Sequence, residues 1–436
     1  MKKYYISDLK EKVEVKLYCW IGSKRHIKDN LFLDIYDSTG VIQAIATKDN
    51  CLNYEKLTKL SKESAVCLSG FLFDKNFVVN DYTIIAEAKM TLSPSPNDKN
   101  FDVLDPKHAT QVIRHPTFYI RNKKLNTIYY LKFQFKQEMR KYFFDKNFVE
   151  FESPTLTRQT LYNDDAAIWL NYDNQDISLS RCATFHLEPA LMAYEKLFTI
   201  TNSHSNEKSR TNRHLVEYLH LKVEICWINL EELIDFASDM YYTIANNTYQ
   251  NNKTKFHEIV DEKYIIDALN KLNPENHIHI TYDEAVNILN KKGIDFEYGK
   301  SLTKVQEEII TKHFGNNFVW VKFIPYTVEG FMFKRNSDNP FLTQTCDLIA
   351  PNGYGEILGC AEKMTDYDEI INSMKEKGKF EQMNRYEDYA LLHKFGLPFH
   401  GGIGMGIERA FRYICGIEHV KYTKPYAAIK NLKINH

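Results

Sequence analysis

Alternate positions of EYLHLKVEI, residues 217–225, put an aromatic ring, an imidazole, an ammonium and a carboxylate in one row: Tyr218, His220, Lys222 and Glu224. Side chains of a strand alternate between faces, so Glu217, Leu219, Leu221, Val223 and Ile225 form the other, mostly apolar row. Such a polar row is either a sheet face open to water or the floor of a cleft for a nucleotide and a small substrate. The preceding NEKSRTNRH supplies Lys208, Arg210 and Arg213, cations that on a hairpin loop meet a polyphosphate or simply keep a turn soluble. In GYGEILG, Glu356 lies in a strand between glycines. An acid there suits a magnesium ion beside phosphate oxygens, or is an edge carboxylate facing water. GGIGMGIER has glycines at 401, 402, 404 and 406, then Arg409. The spacing is not GxGxxG and no parallel βαβ unit surrounds it. Glycines at alternate strand positions clear one face for a flat ligand, and Arg409 in the first turn of the following helix offers a guanidinium to phosphate.

Behind these residues stand two kinds of element. Residues 1–95 read as all-β: VEVKLYCWI (13–21), LFLDIYD (31–37), VIQAIAT (41–47), SAVCLSGFLF (64–73) and DYTIIAEAKM (81–90) are short β-branched or aromatic runs between turn residues. Five such strands suit a small closed barrel of the OB type or a five-stranded sandwich. LSPSPNDKN (92–100) reads as a linker, and the domains are placed at 1–95, with a linker over 96–120, and at 121–436. Residues 126–148 carry Ile128, Leu131, Phe135, Met139, Tyr142 and Phe143 near helical spacing, followed by the strand VEFESPTL. Helical patterns fill 230–315, and strands return from 317 with FVWVKFIP, EGFMFKR and TQTCDLIA. Helices alternating irregularly with hairpin-like strands imply an α+β fold, an antiparallel sheet flanked by helices.

Composition narrows the partners. The 436 residues are 44% hydrophobic and 26% charged with a net charge of −1, so nucleic-acid binding would rest on a local patch rather than a global field. Eight scattered cysteines form no CxxC pair or zinc spacing, which implies reduced thiols in a cytoplasmic protein. MKKYYISDLKEK lacks an apolar signal core, and no apolar run reaches membrane-spanning length.

Taken in order, these segments resemble the class II aminoacyl-tRNA synthetases of the aspartate/asparagine subgroup, asparaginyl type, over nearly the whole chain. YCWIGSKRH…LFLDIYDSTGVIQAIA is similar to the family's anticodon-binding OB barrel, and FFDKNFVEFESPTLT to the dimer-forming motif 1. SRTNRHLVEYLHLKVEI resembles motif 2, whose asparaginyl form ends RHLAEFWMIEPE. GYGEILG resembles GEIIGG, and FHGGIGMGIERAFRYICGIEHV resembles motif 3. The resemblance implies ATP-dependent formation of an acyl-adenylate and its transfer to tRNA, with ATP and Mg²⁺ as cofactors and a two-fold homodimer as the assembly. It places Glu207 at the adenine amino group, Tyr218 under the adenine, and Arg213, His214 and Arg409 at the β- and γ-phosphates, with Leu215, Gly406 and Glu408 completing the ATP site. Glu356 would hold Mg²⁺ and, with Arg409, act in catalysis. Asn163, Thr184, Glu188, Lys363 and His400 fall at the amino-acid pocket, and Trp20, Arg25 and Gln43 where the family reads its anticodon stem.

Departures cluster at the amino-acid end. The family's FRAE is here HSNE, so Ser205 replaces the arginine that bridges the α-phosphate and the substrate carboxylate. Lys363 stands for the arginine of GGSQR, Thr184 for a glutamine, Asn163 for an acid with Asp164 and Asp165 beside it, and Lys222 for an acid of EPE. Lys208, Arg210 or Lys222 would have to supply the missing charge. Three readings follow: a synthetase that charges tRNA with asparagine, a paralogue that passes its adenylate to another acceptor such as ammonia or a small amine, and a non-catalytic RNA- or partner-binding relative.

Overall fold

The computed structural model describes residues 4–97, 100–162, 164–207 and 211–430. The chain divides into two compact units, one of residues 1–108 with 121–123, the other of 109–120 with 124–436.

In the first unit, β1 (Glu14–Ile27), β2 (Asn30–Tyr36), β3 (Val41–Thr47), β4 (Ala65–Phe73) and β5 (Asn76–Ala86) close into a barrel of order β1-β2-β3-β5-β4. The parallel pairing of β3 with β5 closes it, which decides between barrel and sandwich. Alternation sends Leu17, Ile21, Leu33 and Leu68 inward and leaves Trp20 outside, stacked on Tyr36 with ring centroids 5.8 Å apart. Arg25 lies over the Phe32 ring at 4.9 Å on the same unit. The last strand begins at Asn76, earlier than the sequence suggests, because Asp74 and Lys75 turn the chain in two residues with φ of 45° and 61°. Such turns usually carry glycine or asparagine, so this hairpin has only a weak signature.

The second unit contributes β6 (Val149–Glu150), β7 (Leu156–Thr157), β8 (Trp169–Tyr172), β9 (Gln175–Leu179), β10 (Lys196–His204), β11 (Glu217–Cys226), β12 (Ile278–Thr281), β13 (Val319–Lys322), β14 (Thr345–Ala350), β15 (Gly355–Glu362) and β16 (His400–Gly406). Among the described residues eight of them form one sheet of order β12-β13-β14-β15-β16-β11-β10-β6, antiparallel except at its two edge pairs. A small sheet, β7-β9-β8, stands apart from it. One face of the large sheet is apolar: Leu221, Met405, Leu358 and Leu348 form a buried row across four strands. Helix Leu230–Asn251, started by an Asn229–Glu232 capping box, packs there, with Leu233 against Gly401. The opposite face is the polar one.

The 23-residue helix Lys123–Asp145 buries Leu131, Phe135, Met139 and Phe143, the stripe expected from the sequence. It also buries Lys132, whose ammonium pairs with Glu408 of helix Ile407–Ile414. The other Glu408 oxygen accepts the Leu219 backbone N–H at 2.9 Å, so one carboxylate ties two helices to β11. All eight cysteines are free and buried. Among the described residues no helix is long and apolar enough to cross a membrane. Lys132→Met leaves the Glu408 charge buried and unpaired, so urea unfolding should show a loss of about 3–5 kcal/mol, partly recovered by adding Glu408→Gln.

Candidate active site

β10 and β11 pair without a register break from Lys196 opposite Ile225 to His204 opposite Glu217. This hairpin aims Tyr218, His220, Lys222 and Glu224 into an open cleft of about 1800 Å³, so the polar row is a cleft floor. The floor continues across the sheet in register: Lys222 lies opposite Gly404, Gly404 opposite Gly359, and Gly359 opposite Asp347. A Cβ on Gly402 would stand 2.4 Å from Glu224 Oε2, and one on Gly404 would stand 2.5 Å from Lys222 Nζ. At these two positions the glycines make room for side chains of β11 lying across β16, where the sequence suggested a flat ligand on bare backbone.

At one end of the cleft, Glu207, Arg213, His214, Leu215, Tyr218, Gly406, Glu408 and Arg409 line a pocket of about 600 Å³, together with Ser205. Arg409 donates to the Arg213 carbonyl at 3.2 Å and to the Glu356 carbonyl at 3.3 Å, and its guanidinium lies 3.3 Å from the Glu356 carboxylate. Arg213 in turn pairs with the buried Glu307. Glu356 reaches the cleft through a bulge: Leu348 pairs with Leu358 but Ile349 with Glu356, so one extra residue turns the acid inward. Gly355, at φ 76°, starts that strand, and a Cβ on it would meet the Arg213–Glu307 pair at 2.4 and 2.6 Å. Glu408 lies at the pocket wall, but its carboxylate is engaged by Lys132 and Leu219.

Burial and charge set the protonation of this end. Burial, with Arg409 and Arg213 nearby, lowers His214 to about 4, so its imidazole is neutral near pH 7. His220 is held well below the ordinary histidine value by burial and by Lys222 and Arg409, and it meets the Ser203 hydroxyl at 3.0 Å. Burial raises the Tyr218 phenol to about 12. Burial alone would raise Glu356, but Arg409 and Arg213 hold it below the usual carboxylate value. Asp347 is pushed well up by burial and by Glu356, Glu329 and Glu307, and Glu329 by burial to about 7. Asp347 and Glu307 were not singled out from the sequence. The signal for Asp347 was a lone acid in the apolar run TCDLIA; Glu307 is one of two adjacent acids on an ordinary amphipathic helix.

The other end is fully buried. Lys363 Nζ lies 2.9 Å from Glu188, 3.0 Å from the Thr184 hydroxyl, 3.5 Å from Glu224 and 3.6 Å from the Met332 sulfur. Thr184 also donates to Glu224, Tyr389 donates to Glu188 at 2.6 Å, and His400 Nε2 stands 3.9 Å from Glu188. Burial alone would raise Glu188, but the Lys363 charge, with His400 and Tyr389, holds it far below the usual range, and Lys363 is raised in return. Thr184, Glu224 and Lys363 line the cleft, with Glu188 and His400 supporting them from behind. Glu224 Oε2 and His400 Nε2 are buried without a hydrogen-bond partner among the described residues.

Ser205 donates its backbone N–H to the Val216 carbonyl at 2.8 Å and turns its hydroxyl into the pocket beside Arg409, buried and unpartnered among the described residues. Asn163, Lys208 and Arg210 lie outside the described residues. Arg181, which the sequence did not mark, lines the cleft and pairs with Glu207 at 2.9 Å.

Residues 109–430 match the tRNA synthetases class II (D, K and N). The chain belongs to that family. This class II synthetase is 28% identical over 431 residues to the asparagine–tRNA ligase of Pyrococcus furiosus, covering 97% of each chain. It is 25% identical over 421 residues to that of Lactobacillus delbrueckii subsp. bulgaricus, covering 96% of this chain and 95% of that one. Asparaginyl-tRNA synthetase from Pyrococcus horikoshii complexed with asparaginyl-adenylate superposes with a TM-score of 0.90 at 26% identity, covering 99% of each chain. The shared fold carries the synthetase's departures on a common frame.

Two measurements probe the buried cluster of this synthetase. Lys363→Met strands Glu188 as an unpaired buried charge, and chemical denaturation should show a loss of about 3–5 kcal/mol. Burial on its own lowers His400, but Glu188 and Glu224 raise it net above 6.5. A group raised in the folded state stabilises fully below its unfolded value and loses that contribution as pH rises through its folded value. The stability gap between wild type and His400→Gln should therefore be widest below pH 6.5 and close as pH rises above it; a gap independent of pH contradicts the assignment.

Proposed function

We propose that the chain is an asparaginyl-tRNA synthetase-like ligase that uses ATP to activate an amino acid, asparagine foremost, and passes the acyl group to tRNA. The observation that carries this reading is the continuity of one cleft from a pocket lined by Tyr218, His214 and Arg409 to a polar end built from Thr184, Glu224 and Lys363. A carboxylate oxygen attacks the α-phosphorus, the bond to the bridging oxygen breaks, and pyrophosphate leaves with the electron pair. No enzyme nucleophile is required, so the protein's work is alignment and charge neutralisation. Tyr218 carries the adenine and Glu207 its amino group. Arg409 and Arg213, held by Glu356 and Glu307, present fixed cations to the outer phosphates. Neutral His214 adds a hydrogen bond without adding charge.

Mg²⁺ fits the same place. Glu356 and Asp347 offer hard carboxylate oxygens at the cleft; burial first, and then the neighbouring acids Glu356, Glu329 and Glu307, hold Asp347 up, and a divalent cation would relieve that crowding. When bound, the ion neutralises phosphate charge.

The outer barrel face, with the Trp20–Tyr36 stack, Arg25 over Phe32, and Gln43 opposite Asp34, has the aromatic and guanidinium planes that single-stranded RNA bases stack on. Tyr130, Phe133 and Phe144 form an exposed apolar stripe on helix Lys123–Asp145, at 45%, 49% and 78% exposure. We assign that stripe to a second copy of the chain.

A second reading keeps the adenylate but changes the acceptor to ammonia or a small amine. It is favoured by the altered amino-acid end, where Lys363 turns its ammonium to Thr184, Glu188, Glu224 and Met332.

ATP–pyrophosphate exchange separates the readings. Asparagine-dependent exchange with charged tRNA as product supports the first; exchange without a tRNA product supports the second; no exchange and no ATP-dependent thermal shift leaves a non-catalytic protein. Arg409→Ala should weaken ATP binding by about 10- to 100-fold in calorimetry, the worth of a charged hydrogen bond. Phe133→Glu should convert a dimer to a monomer in sedimentation, and a wild-type monomer would remove the assignment of the stripe.

A further inference from the structure

Among the described cations that line the cleft, Arg181 pairs with Glu207, Lys363 with Glu188 and Arg409 with Glu356. Lys222 has no ion pair or hydrogen bond among the described residues. Its ammonium lies across β16, at the point where a Cβ of Gly404 would come within 2.5 Å. On one side along the same face is His220, neutral and tied to Ser203. On the other is Glu224, whose Oε2 is buried without a partner. Same-face neighbours on a strand stand about 7 Å apart, so Lys222 is roughly two steps from the Tyr218 ring and one step from the unpaired Glu224 oxygen. A nucleobase and its α-phosphate are about one such step apart, which puts the phosphate over His220, and an extended lysine side chain is long enough to span about the remaining step.

We propose that Lys222 is the catalytic cation at the junction of the two reacting anions, holding the substrate carboxylate and the α-phosphate where they meet. This rests on the adenylate-forming reading above and goes beyond it by naming the group that replaces the arginine absent at Ser205. The charge comes from the partner strand of the same hairpin, along the cleft floor. It neutralises both anions as the carboxylate oxygen bonds to phosphorus and pyrophosphate departs.

The test uses the full-length enzyme with Lys222→Met and Lys222→Arg. Lys222 has no protein partner to strand, so both variants should fold. In asparagine-dependent ATP–pyrophosphate exchange, kcat for Lys222→Met should fall about 100-fold with the KM for ATP within about threefold of wild type, and Lys222→Arg should stay within about tenfold. Exchange by Lys222→Met within about threefold of wild type overturns the proposal. Failure of the wild type to exchange with any amino acid sinks the adenylate-forming reading by itself. Lys222 is then judged by calorimetry with the acyl sulfamate of adenosine and asparagine, whose anionic linkage imitates the mixed anhydride. Binding at least about tenfold weaker in Lys222→Met upholds the assignment, and equal affinity, or no binding by the wild type, overturns it.

Discussion

The site depends on the register of β11 against β16. A strand's faces alternate every residue, so a slip of one position would send Tyr218, His220, Lys222 and Glu224 into the helix layer and Leu221 and Val223 into the cleft. That slip is opposed from both sides. On the apolar face, Leu221, Met405 and Leu358 are fully buried against the helix layer. On the polar face, Gly402 and Gly404 fit only beneath the Glu224 carboxylate and the Lys222 ammonium. The glycines are complements to two charged side chains, and the sequence GGIGMG is read together with LKVE rather than alone.

A second constraint is charge pairing in a low-dielectric cleft. Four acids stand near the Tyr218 end, and Arg409 and Arg213 are held between them, so their positions are set before any ligand arrives. Preorganised cations of this kind need not reorganise during the reaction, which is where electrostatic catalysis gains most. At the opposite end, Lys363 closes on Glu188, Glu224 and Thr184, and its donors are turned to the protein. An arginine fork there would have donors to spare for a ligand; an ammonium shared among these groups does not. The two ends of the cleft thus differ in kind. One holds paired cations facing open space, and the other a buried polar cluster in which Glu224 Oε2 and His400 Nε2 are left without a hydrogen-bond partner among the described residues.

Periodicity carried most of the fold. Alternation in EYLHLKVEI, the helical stripe of residues 126–148 and the run of short strands before residue 90 all reappear as elements, because each is a local pattern with one face buried. The failures have local causes too. The β4–β5 hairpin turns on Asp74 and Lys75 without the glycine that usually follows an aspartate in such a turn, so its signal in the sequence is weak. VEFESPTL yields only Val149–Glu150 and Leu156–Thr157, since after Phe151, which still donates to Phe198 of β10, the chain leaves the large sheet for the small one. Glu307 and Asp347 reach the site from a helix and from the far side of β15, and nothing in their own neighbourhoods points there.

By itself the sequence determined which residue types are present, which faces of strands and helices they share, and that the motifs occur in the order of a class II synthetase. Those properties follow from spacing along the chain. Which charge meets which charge was decided only by the tertiary structure. Lys132 with Glu408, Arg213 with Glu307 and Lys363 with Glu188 join positions 94 to 276 residues apart. A one-residue bulge decided that Glu356 faces the cleft, and the absence of an ion pair to Lys222 among the described residues decided that its charge remains available. Coulomb interactions depend on distance in space and on burial, and neither is a property of a residue's place in the chain.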